Sequence, residues 1–258
     1  MLTDTHVHLC APDFNKDIQD VLARAGQSGV GAMIAVAETM EEAIRNMELA
    51  RQYPGVLPAA GLYPGNADLT LAHEMQEFIR RQSGNLWAIG EVGLDFRLAQ
   101  TEGDKELQRE VFTGFIHLSR ELDLPVNVHS RSAGRQAIEL LCDLGAVKVQ
   151  MHAFDGKTGS AGPAVEAGFF FSVPPSVVRS RQKQKLLKQL PLSCLLLETD
   201  APVLGPNPEE RNEPSNLPVS LKAISEIKNI PEQEVREAVA ENTRRLYGQL
   251  PPVRLSSA

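Results

Sequence analysis

Little in this chain points to a disulfide-stapled, membrane-spanning or broadly cationic protein. Its three cysteines, Cys10, Cys142 and Cys194, are an odd number with no Cys-x-x-Cys spacing. That pattern offers neither a disulfide framework nor a cysteine zinc site, and a reducing compartment is the expectation. No apolar run approaches the roughly 18 residues of a membrane helix, and no basic stretch followed by an apolar one stands at the N-terminus. The expected location is therefore cytoplasmic, nuclear or both, with no membrane partner. Positive charge is short: 26 Lys and Arg against 33 Asp and Glu leave a net charge of −7, so nucleic acid would have to be held by a local site rather than by the bulk field. Aromatic residues make up only 5% of the chain and are not interleaved with a basic patch, which argues against base stacking and sequence-specific readout. No Gly-x-Gly-x-x-Gly follows the first apolar run, so the signature of a dinucleotide-binding open sheet is missing.

What is present is a regular alternation of short apolar runs and longer helical patterns. At 258 residues and 42% hydrophobic, the chain can bury one large core without staples. The runs Leu2–His6, Ala32–Ala35, Val56–Ala60, Ala88–Gly90, Val126–His129, Lys148–Met151, Phe169–Ser172 and Leu195–Glu198 are near-continuously apolar, as strands covered on both faces should be. Between them lie helical stretches such as "NKDIQDVLARAG", which should stop at Gly26, and "DKELQREVFTGFIHLSREL". The strand ends recur about every 27 residues, and eight such units make an α/β fold of the (β/α)8 TIM-barrel type, for which roughly 250 residues is usual. One barrel domain over residues 1–250 is expected, with 251–258 a frayed tail. The long Pro- and Asn-rich segment Thr199–Pro218 reads as a functional loop before two closing helices.

In such a barrel the C-terminal strand ends converge on one rim, where catalysis sits. His6 and His8 follow strand one, Glu91 strand four, His129 strand five, His152 strand six and Asp200 strand eight. His6 and His8, two residues apart on a strand, share a face. The remaining histidines, His73 and His117, fall inside helical patterns. Each rim residue alone has an ordinary structural explanation as a cap, turn or core residue. Together, four imidazoles and two carboxylates at one mouth would repel or lack partners unless cations sat among them. Nitrogen and oxygen donors without thiolate suit zinc, manganese, iron or, for the carboxylate-rich half, magnesium, and six are too many for one tetrahedral zinc with an open position. Two divalent metals sharing a bridging carboxylate fit the number, and hydrolysis, best of a phosphoester, is the chemistry that follows.

The strings "DTHVHL", "IGEVGLDF", "PVNVHSR", "HAFDG" and "LLLETDAPVLGP" resemble, in order and over nearly the whole chain, the successive motifs of the TatD-like metal-dependent deoxyribonucleases, a family of the amidohydrolase-type barrels. The segments "LPVNVHSRSAGR" and "RNEP" are most similar to one animal branch of it. The resemblance implies that His6, His8 and Asp200 bind one metal, that His129 and His152 bind the other, and that Glu91 bridges them. It further implies Asp200 as proton acceptor for the attacking water, and DNA, with RNA for some members, as substrate, taken from 3′ ends or cut at abasic sites. One departure is "GLYPGNA", where Tyr63 stands in place of the family's histidine. A tyrosine can donate to a phosphate oxygen but supplies no cation.

Further candidates surround this set. Arg131 is placed to grip a phosphate by a bidentate contact, Asp95 to orient a histidine ligand, and Arg211, in the loop after strand eight, to close over substrate. The run "RSRQKQKLLKQL" reads first as a solvated helix face and second as a track for a nucleic-acid backbone. No required protein partner is evident. Two alternatives stand beside a DNA phosphodiesterase: an amidohydrolase for a cyclic amide or lactone, disfavoured because Glu91 rather than a lysine ends strand four, and a metal- and nucleic-acid-binding barrel with weak turnover, which only Tyr63 favours.

Overall fold

A computed structural model describes residues 1–251 of the chain; the expected tail lies, from residue 252 on, outside the described residues. Eight parallel strands run β1 (Leu2–Val7), β2 (Val30–Ala35), β3 (Val56–Ala60), β4 (Ala88–Gly93), β5 (Val126–His129), β6 (Val149–Met151), β7 (Phe170–Val173) and β8 (Leu195–Leu197), paired in chain order. The helices between and after them are α1 (Ile18–Gln27), α2 (Met40–Gln52), α3 (Leu69–Gln82), α4 (Glu102–Leu122), α5 (Gly134–Asp143), α6 (Gly162–Glu166), α7 (Arg181–Gln189), α8 (Leu217–Lys228) and α9 (Glu232–Tyr247). This is a (β/α)8 barrel, as the apolar runs lead one to expect, because strands buried on both faces alternate with amphipathic helices that cover the outside. No helix among the described residues is long and apolar enough to cross a membrane.

The helix ends follow local chemistry. Thr39 caps α2 by accepting from the Glu42 N–H, and Thr101 and Asp104 form a reciprocal capping box at the start of α4. Gly26 does not stop α1, which runs one residue further to Gln27. The left-handed residue that turns the chain into β2 is Gly29, at φ 83°. The helix therefore ends where the backbone must reverse, not at the first glycine.

The main core lies between strands and helices, with Phe14, Phe112, Phe115 and Phe169 fully buried. A smaller cluster, including Ile34, Leu57, Ala88 and Leu196, faces Leu246 and Tyr247 from the end of α9. Strand alternation puts these residues inside the barrel, so α9 plugs one end, and the Tyr247 hydroxyl donates to Gln150 Oε1 at 2.6 Å. The β1/β8 seam is held by an uneven set of bonds: Thr5 Oγ1 donates to the Leu197 carbonyl (2.9 Å), the Asp200 N–H to the His6 carbonyl (3.0 Å), and the His8 N–H to the Ala201 carbonyl (2.9 Å). Asp4, fully buried, accepts from both the N–H and the hydroxyl of Thr199. Burial still drives its carboxyl up to about 8 against those bonds. These contacts bring the ends of β1 and β8, and so His6, His8 and Asp200, side by side.

Candidate metal centre

The six rim residues converge around Glu91, whose two oxygens face two different pairs of histidines. Glu91 Oε2 lies 3.6 Å from His6 Nε2 and 3.4 Å from His8 Nε2. Glu91 Oε1 lies 2.5 Å from His129 Nδ1 and 3.3 Å from His152 Nε2. Asp200 Oδ1 closes the first pair, 3.4 Å from His6 Nε2 and 3.3 Å from His8 Nε2, and those two nitrogens are 3.2 Å apart. His6 stacks on His152 with ring centroids 3.7 Å apart. β4 and β5 approach closely at their ends, beside Glu91 and His129: a Cβ on Gly93, at φ 144°, would sit 2.0 Å from the His129 carbonyl oxygen.

Three of the four imidazoles are oriented from behind. His6 Nδ1 is 2.9 Å from Asn127 Oδ1, and Asn127 Nδ2 in turn donates to the Thr5 carbonyl. His152 Nδ1 is 3.3 Å from Glu198 Oε2, which also accepts from the Ser172 hydroxyl at 2.6 Å, while Glu198 Oε1 accepts from the Ala153 N–H at 2.8 Å. His129 Nε2 is 3.1 Å from Asp95 Oδ2. With a metal bound, the outward nitrogen of each would keep its proton and the inward one would present its lone pair, the arrangement by which a carboxylate or amide behind a histidine prepares it for a metal. Asn127 and Glu198 went unremarked in the sequence. The signal was a polar residue in an apolar stretch two positions before a rim residue: Asn127 before His129 on β5, and Glu198 before Asp200 just beyond β8.

The charge distribution fits a cation. Burial alone would lower the pKa of His8, yet Asp200 and Glu91 push it up to about 9; burial opposes, and Glu91 and Asp95 likewise push His129 up to about 9. His152 rises well above its usual range by the pull of Asp200, Glu198 and Glu91 against its burial. Glu91 and Asp200, although buried, fall below the usual carboxylate range because of these histidines. A buried set that must hold protons to stay balanced is one in which cations can take the protons' place. His6, His8 and Asp200 place one donor atom each within 4.8 Å of one another, as do His6, Glu91 and His152, and also His8, Glu38 and Glu91. Glu38, after β2, is a further carboxylate at the mouth; burial raises its pKa.

Above the cluster lies a cavity of about 500 Å³ whose wall includes His8, Glu91, His129, His152 and Asp200, together with Tyr63, Arg131 and Lys183. Arg131 stands in that wall, half-exposed, 4.0 Å from Asp95. Tyr63 also lines it, but its hydroxyl donates to Asp95 Oδ2 at 2.9 Å, so the proton expected for a phosphate is spent on the carboxylate behind His129. Asp95 lies behind His129, on the side away from Glu91. Arg211 is not at the cavity. Its guanidinium bonds Asp17, Glu213 and the Asp13 carbonyl and sits 5.0 Å over the Phe14 ring, because acceptors in the segment before α1 and in its own loop hold it there. His73 and His117 are exposed on α3 and α4, away from the cluster.

A parallel eight-stranded barrel with a histidine and carboxylate cluster at its C-terminal rim is the arrangement of a metal-dependent hydrolase. Within that class the chain belongs to the TatD related DNase family, which it matches over residues 3–248. It is 47% identical to the human protein named deoxyribonuclease TATDN3, over 96% of this chain and 95% of that one. It is 32% identical to an uncharacterized metal-dependent hydrolase, YabD, of Bacillus subtilis, over 96% of this chain and 99% of that one. Among solved structures, that of YJJV, a TatD homologue from Escherichia coli, superposes with a TM-score of 0.88 at 29% identity, covering 96% of this chain and 98% of that one.

Proposed function

We propose that the chain is a two-metal phosphodiesterase acting on DNA without sequence preference, as a 3′ exonuclease, an abasic-site endonuclease or both. The observation that carries this reading is the division of Glu91: one carboxylate oxygen toward the pair His6 and His8, the other toward the pair His129 and His152. A carboxylate so divided suits two ions rather than one. His6, His8 and Asp200 would hold one ion, His129 and His152 the other, and Glu91 would touch both. Zinc, magnesium and manganese are all compatible with imidazole and carboxylate donors. Bound there, such ions supply Lewis-acid charge and lower the pKa of water.

The remaining work falls to the chain. Asp200 adopts a left-handed backbone conformation at φ 54°, with its N–H bonded to the His6 carbonyl, and its carboxylate lines the cavity. Lying at the mouth, it accepts the proton of the attacking water, because its carboxylate is ionised at neutral pH. Arg131 neutralises a phosphate oxygen from the β5 side. Tyr63 and Asp95 hold His129 in place. The short supply of aromatic side chains agrees with cleavage that ignores base identity.

The test is cleavage of end-labelled oligonucleotides by metal-reconstituted protein, one strand with an intact 3′ end and one with an abasic site, beside Asp200→Asn. Product from the parent alone, abolished by chelator, is the expected outcome, and product length separates the two activities. Binding without product under magnesium, manganese and zinc would transfer support to a non-catalytic barrel, and turnover of a cyclic amide to an amidohydrolase.

A further inference from the structure

The basic run from Arg179 to Lys188 divides by helix face. α7 buries Leu186 and Leu187, with Leu190 just beyond it. Lys183, one turn before Leu186 and Leu187, falls on that same inward face, whereas Arg181, Lys185 and Lys188 are exposed. The N-cap Ser180 fixes this first turn by accepting from the Lys183 N–H at 3.3 Å. Lys183 then reaches the cavity wall, where its Nζ donates to the carbonyl of Ala153, the residue after His152, at 2.7 Å.

An ammonium has three donors, and the protein uses one of them here. Lys183 forms no ion pair among the described residues, although Asp155, Glu198 and Asp200 are near enough to act on its charge. Its surroundings remove enough water to lower its pKa. A desolvated cation anchored to a carbonyl, facing an open cavity with two free donors, is half of a charge pair whose other half must come from a ligand. It stands on the β6–β8 side of the cavity, while Arg131 and Tyr63 come from the strand ends of β5 and β3.

We infer that Lys183 holds a non-bridging phosphate oxygen of the substrate strand, and that it alone of the lysines on α7 does so. The inference rests on the phosphodiesterase reading above. It assigns the cationic contact that Tyr63 cannot make to a residue on another strand unit.

The experiment is equilibrium binding of a fluorescein-labelled single-stranded oligothymidylate to the calcium-loaded protein across a salt series, with the strand checked intact by gel. Lys183→Gln keeps a donor for the Ala153 carbonyl but loses the charge. Its affinity falls roughly tenfold, as for a hydrogen bond to a charged group, and its salt slope becomes shallower by about 0.7, one single-strand phosphate contact. Lys183→Arg keeps the parent slope, and Lys188→Gln, altered on the exposed face, binds as the parent does. Parent-like binding by Lys183→Gln, or an equal loss in Lys188→Gln, overturns the inference while leaving the phosphodiesterase reading intact. An equal loss of slope in Lys183→Gln and Lys183→Arg would mean that packing rather than charge was removed, and overturns it as well. A parent protein that binds no strand overturns both.

Discussion

Replacing Glu198 by glutamine should damage metal binding although Glu198 belongs to none of the ligand groups. Three donors converge on its carboxylate: the Ala153 N–H on one oxygen, and the Ser172 hydroxyl and His152 Nδ1 on the other. An amide keeps one oxygen. If that oxygen stays with the Ala153 N–H, the new NH2 faces His152 Nδ1, donor against donor. Ser172 can rotate its hydroxyl to adapt, but His152 must move its proton to Nε2, the nitrogen that faces Glu91 Oε1 at 3.3 Å. The lone pair offered to a metal is then gone. Loss of such a supporting partner typically weakens metal affinity by about 10–100-fold, or about 1.4–2.7 kcal/mol. The fold itself should lose only about 1–3 kcal/mol, one buried acceptor's worth. Calorimetric titration of manganese into chelator-treated protein reads the affinity, and thermal melting of the same sample reads the fold. Parent-like affinity in Glu198→Gln at an unchanged melting temperature would refute the assignment of the His152 proton to Nδ1.

Other outcomes follow from the same geometry. Glu91→Ala should abolish strand cleavage, whereas His117→Ala, altered on the exposed face of α4, should leave it intact; equal activities would remove the cluster from the chemistry. Metal binding must displace protons from His8 and His129, both raised to about 9, so titration at pH 7 should release protons, measurable by calorimetry in buffers of different ionisation enthalpy, and affinity should rise with pH up to about 9. In the metal-free protein the sign reverses. Those raised histidines contribute stability that is fully present below their ordinary value of 6.5 and is lost as pH climbs through about 9, so the chelated protein should melt lower at pH 9.5 than at pH 6. Tyr63→Phe should cost about 0.5–1.5 kcal/mol in stability through the lost bond to Asp95, without a change in the salt dependence of strand binding. A shallower salt slope in Tyr63→Phe would instead return that hydroxyl to the phosphate.

The barrel was legible because strands covered on both sides must be apolar along their length, and eight such runs leave one simple closure. The rim cluster was legible for a related reason: a histidine or carboxylate directly after an apolar run has few roles to play at a barrel mouth. Asn127 and Glu198 were harder to see because one sits within β5 and the other directly after β8, where a polar residue carries no mark of which way it faces until the register is known. Lys183 was masked by its neighbours, since one inward lysine in a run of five cations looks like the rest until the leucine face of α7 is drawn. Arg211 misled for the opposite reason. Its loop does follow β8, but Asp17 joins Glu213 in holding the guanidinium, and a pairing with a residue so distant along the chain leaves no trace in local sequence. Gly26 shows the same limit at small scale, because an interior glycine and a terminating one differ only in backbone conformation.

The most direct test of the account is anomalous diffraction from crystals of the manganese-loaded protein, recorded on both sides of the manganese edge. The account predicts two peaks about 3.5–4 Å apart, the spacing of paired catalytic ions, one among His6, His8 and Asp200, the other beside His129 and His152, and both within bonding reach of Glu91. A single peak, or a pair of peaks that Glu91 does not join, would contradict it.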